Sequence, residues 1–275
     1  MTLDAPREVR TPRSVAEVYD YGAHVWSWRL DGQPVLWQSD SSMYERGKPL
    51  RGGVPICWPW FGPGRTGDMS PAHGLARISD WTLTDQRETP DGTQLTYELT
   101  SLQVPDALPG SDWTLTYDVR VGEDLELALT VTNTGSAPFS YELALHTYLA
   151  VGDVRQVSVS GLDGASYLDK VTGRRERQEG DVTVTAETDR VYDRGGDVVV
   201  NDPVLARRLH VSTEGAANTV VWNPWVAKAA AMPDFGDDEW PGMICIEGGN
   251  VLDEAVTVDP GTSRGLRYRL AVEAS

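Results

Sequence analysis

Cysteine, lysine and positive charge are what this chain is short of. Its two cysteines, Cys57 and Cys245, cannot build a disulfide framework, and neither has companions at zinc-ligand spacing. Each lies in an apolar run (Val54-Pro-Ile-Cys57-Trp58 and Met243-Ile-Cys245-Ile246), so both read as small buried side chains. Against 41 Asp and Glu stand only 24 Lys and Arg, a net charge of −17. That argues against a protein that tracks nucleic-acid phosphates or lies on anionic lipid, since both need a basic face. A small anionic ligand is compatible, because a few arginines can dominate one pocket. Lysine occurs only at Lys48, Lys170 and Lys228, which reads as a coding bias rather than as function. No stretch of about 20 apolar residues occurs, and Met1-Thr-Leu-Asp-Ala-Pro-Arg-Glu8 lacks the apolar centre of a signal peptide. A cytoplasmic enzyme or binding protein, without nucleic-acid or membrane partners, is the expectation.

What the chain does have is alternation. Leu125-Glu-Leu-Ala-Leu-Thr-Val-Thr132 and Trp113-Thr-Leu-Thr-Tyr-Asp-Val-Arg-Val121 repeat with period two, the signature of half-buried strands. Tyr141–Val151, Val154–Val159, Val182–Val184 and Leu266–Val272 read the same way. Turn signals separate the strands, among them Asp31-Gly32, Asp91-Gly92, Asn133-Thr-Gly135, Asp163-Gly164 and Pro260-Gly261. Only Pro224–Met232, with its run of alanines and a closing Pro233, suggests a helix. With 40% hydrophobic and 24% charged residues and no linker, the pattern predicts one all-β domain over residues 1–275. Its architecture is a large antiparallel sandwich or barrel with one or two short helices. Its oligomeric state is not legible.

One segment breaks the rhythm. Gly47 to Gly74 packs Arg51-Gly-Gly53, then Pro55-Ile-Cys-Trp-Pro-Trp-Phe-Gly-Pro-Gly64, then His73-Gly74 into a specifically shaped loop. Glycines there can bring backbone close to a ligand, or the loop can be a structural crossover. Gly62-Pro-Gly64-Arg-Thr-Gly67 formally matches a dinucleotide fingerprint, but the flanking prolines forbid its strand and helix. The acidic cluster Asp234, Asp237, Asp238 and Glu239 lacks calcium-loop spacing and reads as a solvated turn.

Two groups suit proton transfer. Period two puts Glu142, Ala144, His146 and Tyr148 on one face of their strand, opposite Leu143, Leu145 and Thr147. His146 therefore projects from a rigid platform, either as an acid–base group or as an ordinary hydrogen-bonded histidine. His73, in the unusual loop four residues before Arg77, is similar; His24 and His210 read as structural. Glu247 ends the run Met243-Ile-Cys-Ile246, whose side chains point to both faces, so its strand is covered on both sides. A carboxylate there is paired, hydrogen-bonded or raised in pKa. It is either half of an acid–base pair or a structural salt bridge.

These segments, taken together, resemble the glucose-6-phosphate 1-epimerases, the hexose-6-phosphate mutarotases. The resemblance is carried by Gly47-Lys-Pro-Leu-Arg51-Gly-Gly-Val-Pro-Ile-Cys-Trp-Pro-Trp-Phe-Gly62, His73-Gly-Leu-Ala-Arg77, Ala144-Leu-His146-Thr-Tyr148 and Thr188-Asp189-Arg-Val-Tyr192. Trp222-Asn-Pro-Trp225, Asp234-Phe-Gly-Asp-Asp-Glu239 and Cys245-Ile-Glu247-Gly-Gly-Asn250 complete it, in order along nearly the whole chain. It implies a galactose-mutarotase-like β-supersandwich, with His146 as general acid, Glu247 as general base, and His73 and Asp189 on the sugar. It also implies a phosphate site at Arg51 and Arg77, a hexose-phosphate substrate, and neither metal nor other cofactor. Ala72 and Gly248 stand where some relatives carry glutamine and alanine, which bears on substrate contacts. Two other readings are a non-catalytic sugar-binding sandwich and a different carbohydrate-active enzyme on the same fold.

Overall fold

The alternation in Trp113–Val121 and Leu125–Asn133 has a direct structural consequence. In both strands every second residue is buried and the residues between are half-exposed, so one face packs and the other meets solvent. The computed structural model, which describes residues 2–274, joins these strands in register into an antiparallel sheet of nine. Gly92–Thr100 and Thr82–Thr89 continue it on one side, and Ser263–Ala274, Arg207–Glu214, Val198–Asp202, Ser158–Ser160 and Val182–Thr183 on the other.

A second antiparallel sheet, of eight strands, runs Arg174–Arg177, Ser166–Asp169, Thr188–Tyr192, Asn218–Asn223, Met243–Asn250, Leu143–Leu145 and Ile56–Cys57, with Tyr148–Ala150 also paired to Met243–Asn250. All eight residues of Met243–Asn250 are buried, as its apolar run predicts. Ile244 and Ile246 point towards the nine-stranded sheet, where the Tyr268 hydroxyl donates to the Ile246 carbonyl at 2.8 Å. Arg7–Arg10, Ser14–Tyr19, His24–Leu30 and Gln33–Pro34 form a third sheet, and Phe139–Tyr141 pairs with Val256–Val258. The one α-helix among the described residues is Trp225–Ala231. The architecture is the antiparallel all-β sandwich expected.

Two strands depart from expectation. Tyr141–Val151 is not continuous: Phe139–Tyr141 leaves to pair elsewhere, and the main strand resumes as Leu143–Leu145 and Tyr148–Ala150. The break at Glu142 is filled by its side chain, which accepts the Phe61 and Leu252 backbone N–H groups at 3.1 and 2.6 Å. Val154–Val159 begins as a 3₁₀ turn, Val154–Gln156, because the Asp153 carboxylate caps the Arg155 N–H at 3.0 Å; the strand starts only at Ser158.

The glycine-rich loop is packed against its own chain. Gly53 has φ +60°, and a Cβ there would sit 2.2 Å from the Val25 carbonyl oxygen; one on Gly52, at φ +129°, would meet Gln38 Cα at 2.5 Å. These two glycines allow backbone to cross backbone, not backbone to approach a ligand. His24 is structural as read, its Nε2 lying 2.9 Å from the Gly52 carbonyl oxygen. His210 sits on the outer surface beside Glu273, 2.6 Å away.

Candidate active site

Register places the candidate groups on one face of the eight-stranded sheet. Directly paired residues of antiparallel strands project to the same side. Asp189 pairs with Trp222 and Trp222 with Cys245; Val191 pairs with Val220 and Val220 with Glu247. On the other side of Met243–Asn250, Leu145 pairs with Gly248 and Tyr148 with Cys245. The two residues left between them, His146 and Thr147, therefore stand opposite Glu247 and Ile246. His146 Nε2 and Glu247 Oε1 are 3.4 Å apart. Both side chains are buried, and His146 Nδ1 and Glu247 Oε2 have no hydrogen-bond partner among the described residues.

The imidazole is held by rings. Tyr148 stacks on it at 4.8 Å and 15°, while Trp222 and His73 meet it edge-on at 5.9 and 5.6 Å. His73 is fixed in turn. Its Nδ1 accepts the Gly62 N–H at 3.2 Å, which leaves the proton on Nε2, and it lies 3.3 Å from Cys57 Sγ. Its backbone has φ +64°, in the left-handed region that few residues other than glycine enter.

Burial drives the two halves of the pair towards neutrality from opposite sides. It pushes Glu247 well above the usual carboxylate range, reinforced by the Asp189 charge and opposed by Lys170 and Arg77. It pushes His146 well below the usual imidazole range, with Arg77, Arg51 and Lys170 adding to the effect. Both shifts favour the uncharged forms, a carboxylic acid beside a neutral imidazole.

Cations line the same space. Arg77 Nη2 donates to the Ala72 carbonyl at 2.6 Å, and its buried Nε has no partner among the described residues. Arg51 is more committed. Its Nη1 donates to the Tyr148 hydroxyl at 2.9 Å, and Nε and Nη2 fork onto Asp234 at 3.2 and 2.9 Å. Burial works against the Arg51 charge, but Tyr148 and Asp234 outweigh it and raise its pKa. Asp234 is therefore no solvated turn residue. It is buried, and Glu239 is also engaged, accepting from Ser39 Oγ, Asp40 N and Gly236 N; only Asp237 and Asp238 face solvent as expected.

Two of the three lysines belong here too. Lys170 Nζ lies 3.6 Å from Asp189 Oδ2 and 4.9 Å from the Phe61 ring centroid, and Lys228 Nζ lies 2.9 Å from Glu187 and 3.9 Å from Asp189. Sequence reasoning missed Lys170, since nothing local to Leu168-Asp-Lys170-Val171 marks it. Tyr148 was legible as a face-mate of His146, though its part in holding the ring was not. The structure brings together all six expected residues: Arg51, His73, Arg77, His146, Asp189 and Glu247.

Gly248 is different. An added Cβ would point at the nine-stranded sheet, 2.7 Å from Thr213 Cγ2, so this departure bears on sheet packing and not on substrate. His146, Cys245 and Glu247 offer N, S and O atoms within 4.8 Å of one another, the compass of a zinc ligand set. The Arg51, Arg77 and Lys170 charges facing the pair oppose a divalent cation there. A groove on the outer face of the nine-stranded sheet is also charged, with Arg120 and Arg269 paired to Asp91, Glu126 and Asp124. No helix among the described residues is long and apolar enough to cross a membrane.

The chain resembles known proteins over most of its length. The aldose 1-epimerase family profile matches residues 8–271. A relative from Escherichia coli K12, provisionally named glucose-6-phosphate 1-epimerase, is 41% identical over 230 residues, 82% of this chain and 76% of its own. A Salmonella typhimurium crystal structure, provisionally described as a mutarotase, superposes with a TM-score of 0.90 at 34% identity, covering 98% of this chain and 90% of that one. A galactose mutarotase-like protein from Lactobacillus casei shares the fold at a TM-score of 0.76 and 16% identity, covering 98% of this chain and 100% of that one.

Proposed function

The chain belongs to the aldose 1-epimerase family, and from that premise we propose that it interconverts the α and β anomers of an aldohexose 6-phosphate, glucose 6-phosphate foremost. The observation that carries this reading is the buried pair, with His146 Nε2 and Glu247 Oε1 3.4 Å apart and Nδ1 and Oε2 without hydrogen-bond partners among the described residues. Buried polar atoms are rarely left unpaired, and two in one cleft mark a place where a polar ligand completes them.

The proton bookkeeping is closed. With its proton on His146, the pair is a carboxylate beside an imidazolium. Glu247 takes the proton of the C1 hydroxyl, His146 gives its proton to the ring oxygen, and the C1–O5 bond breaks to leave an open-chain aldehyde. The pair is now neutral, the form that burial favours. The aldehyde turns about C1–C2. His146 then takes the proton back from the C5 hydroxyl while that oxygen attacks the other face of C1, and Glu247 returns its proton to O1. One turnover consumes no proton, and acid and base exchange roles within it. Lys170 and Arg77 favour the charged carboxylate.

His73 and Asp189 face the same space and suit the sugar hydroxyls. Arg77 suits the phosphate, since the guanidinium fork matches tetrahedral oxygens, and Arg51, its fork held by Asp234 and one Nη1 N–H by Tyr148, adds its remaining Nη1 N–H and its charge. Polarimetry on α-glucose 6-phosphate and α-glucose, above the spontaneous rate, tests this reading. Catalysis of the phosphate ester well above that of the free sugar is expected. Equal or faster turnover of the free sugar refutes the phosphate assignment, and no turnover of either refutes the activity.

A further inference from the structure

We propose that the substrate's phosphate is an activator of the acid–base pair as well as a handle: a dianion held by Arg51 and Arg77 acts through Tyr148 on His146 and enables it to carry a proton. This rests on a hexose 6-phosphate being the substrate.

The geometry is a short chain of contacts. Asp234 Oδ2 accepts from Arg51 Nη2 at 2.9 Å, Arg51 Nη1 donates to Tyr148 Oη at 2.9 Å, and the Tyr148 ring lies flat on His146 at 4.8 Å. Trp37 stacks on Tyr148 at 5.7 Å, so the phenol is clamped between two rings. A change at the arginine fork therefore reaches the imidazole through one rigid side chain.

The electrostatics give the chain a direction. Ring opening needs an imidazolium at His146, yet burial opposes that charge, and Arg77, Arg51 and Lys170 oppose it further. The other groups facing His146 are Glu247 and Cys245 on the adjoining strand, His73 from the glycine-rich loop and Asp189 from Thr188–Tyr192. Burial keeps the Cys245 thiol protonated and His73 neutral, so neither supplies the missing negative charge. Asp189 is shared between Lys170 and Lys228. Asp234 brings one negative charge to Arg51, and Arg77 has no carboxylate partner among the described residues. A phosphate dianion brings two charges to that end. Between buried groups such charges act strongly on one another. Arg51 and Arg77 both oppose the imidazolium while only Arg77 supports the Glu247 carboxylate, so cancelling the guanidinium field favours the charged His146 more than it disfavours the charged Glu247. A free sugar meets the same pair with the cations unopposed.

Sulfate is the probe. It carries two negative charges through the working pH range and is a poor base, so it neither titrates nor catalyses mutarotation by itself. The intact enzyme is assayed on α-glucose in saturating sulfate and in chloride at equal ionic strength, and the His146 ring is titrated by NMR in both salts. The expected result is competitive inhibition of glucose 6-phosphate turnover, an upward move of the His146 midpoint, and faster turnover of free glucose. The last two are linked: kcat/KM rises with the midpoint, by less than about tenfold per unit because a more basic imidazole is also a weaker acid. Arg77→Gln and Arg51→Gln each diminish both effects. If sulfate competes with glucose 6-phosphate but moves neither the midpoint nor free-glucose turnover, the phosphate is only a handle; this inference falls and the substrate reading stands. If sulfate neither competes nor shifts the ring, the anion end is misassigned and both fall. Where free-glucose turnover is too slow to measure, the ring titration decides.

Discussion

Replacing Glu247 with glutamine separates catalysis from stability. The substitution keeps the volume of a fully buried side chain and removes its ability to take a proton. Loss of a positioned general base typically costs about 10²- to 10⁴-fold, roughly 2.7–5.5 kcal/mol of transition-state stabilisation, and Glu247→Gln should fall in that range. Stability should move the other way with pH. Burial raises the Glu247 pKa well above its ordinary value of 4.5. Between those limits the folded chain keeps a proton that the unfolded chain releases. Wild-type stability therefore declines as pH climbs above 4.5, until the folded group itself ionises. Glutamine has no such term. Its stability relative to wild type should rise by about 1.4 kcal/mol per pH unit within that window, which moves the melting temperature by roughly 2–4 °C in a chain of this size. Below the window the two differ only by the cost of a buried amide.

Two assays check this together: anomerisation of α-glucose 6-phosphate by polarimetry, and thermal melts at half-unit steps from pH 5 to 8. A loss of only a few-fold with the fold intact would remove Glu247 from the proton-transfer role. A melting gap that stays flat with pH would show that Glu247 ionises normally, and the burial argument would fail even if catalysis were lost.

Other consequences are as specific. Arg77→Gln should weaken catalysis on glucose 6-phosphate by about 1.5–3 kcal/mol, the worth of a charge-assisted hydrogen bond, without lowering the rate on free glucose; equal losses on both sugars would make Arg77 structural. Lys170→Met removes a cation that favours the Glu247 carboxylate, so the acidic limb of the kcat/KM profile should move to higher pH, and an unmoved limb would uncouple the two. Gly248→Ala drives a methyl to 2.7 Å from Thr213 Cγ2 and should destabilise by about 1–3 kcal/mol with KM unchanged. Thr213→Ser should restore the loss; a raised KM would place Gly248 on the substrate after all.

How far the sequence revealed this fold depends on the distance over which each feature is decided. Period two in Trp113–Val121 and Leu125–Asn133 is local, and both strands appear with the predicted buried faces. The face that His146 shares with Tyr148 was equally local. Strand ends at Glu142 and Val154 were not, because they depend on side chains meeting backbone from Phe61 and Leu252, or on a cap at Asp153. The candidate site follows the same rule. Its histidines and Glu247 were visible as polar residues in well-packed surroundings. Lys170 and Asp234 were not, since each acquires its role from a partner far along the chain: Asp189 for one, Arg51 for the other.

Glu142 and Glu247 show why burial alone would not have picked out the reactive carboxylate. Both are buried glutamates next to the strand Leu143–Leu145 or in its partner, and both sit in apolar stretches. Glu142 accepts one backbone N–H on each oxygen, from Phe61 and Leu252, and so fixes the glycine-rich loop and the 3₁₀ turn Leu252–Glu254 to the sheet. Its acceptor capacity is used by the fold. Among the described residues Glu247 receives no backbone N–H; one oxygen faces an imidazole at 3.4 Å and the other has no partner. The first arrangement repays the burial of the carboxyl with hydrogen bonds inside the folded chain. The second repays nothing until a ligand supplies a proton donor, and the cost it imposes on folding is what leaves its proton available for transfer.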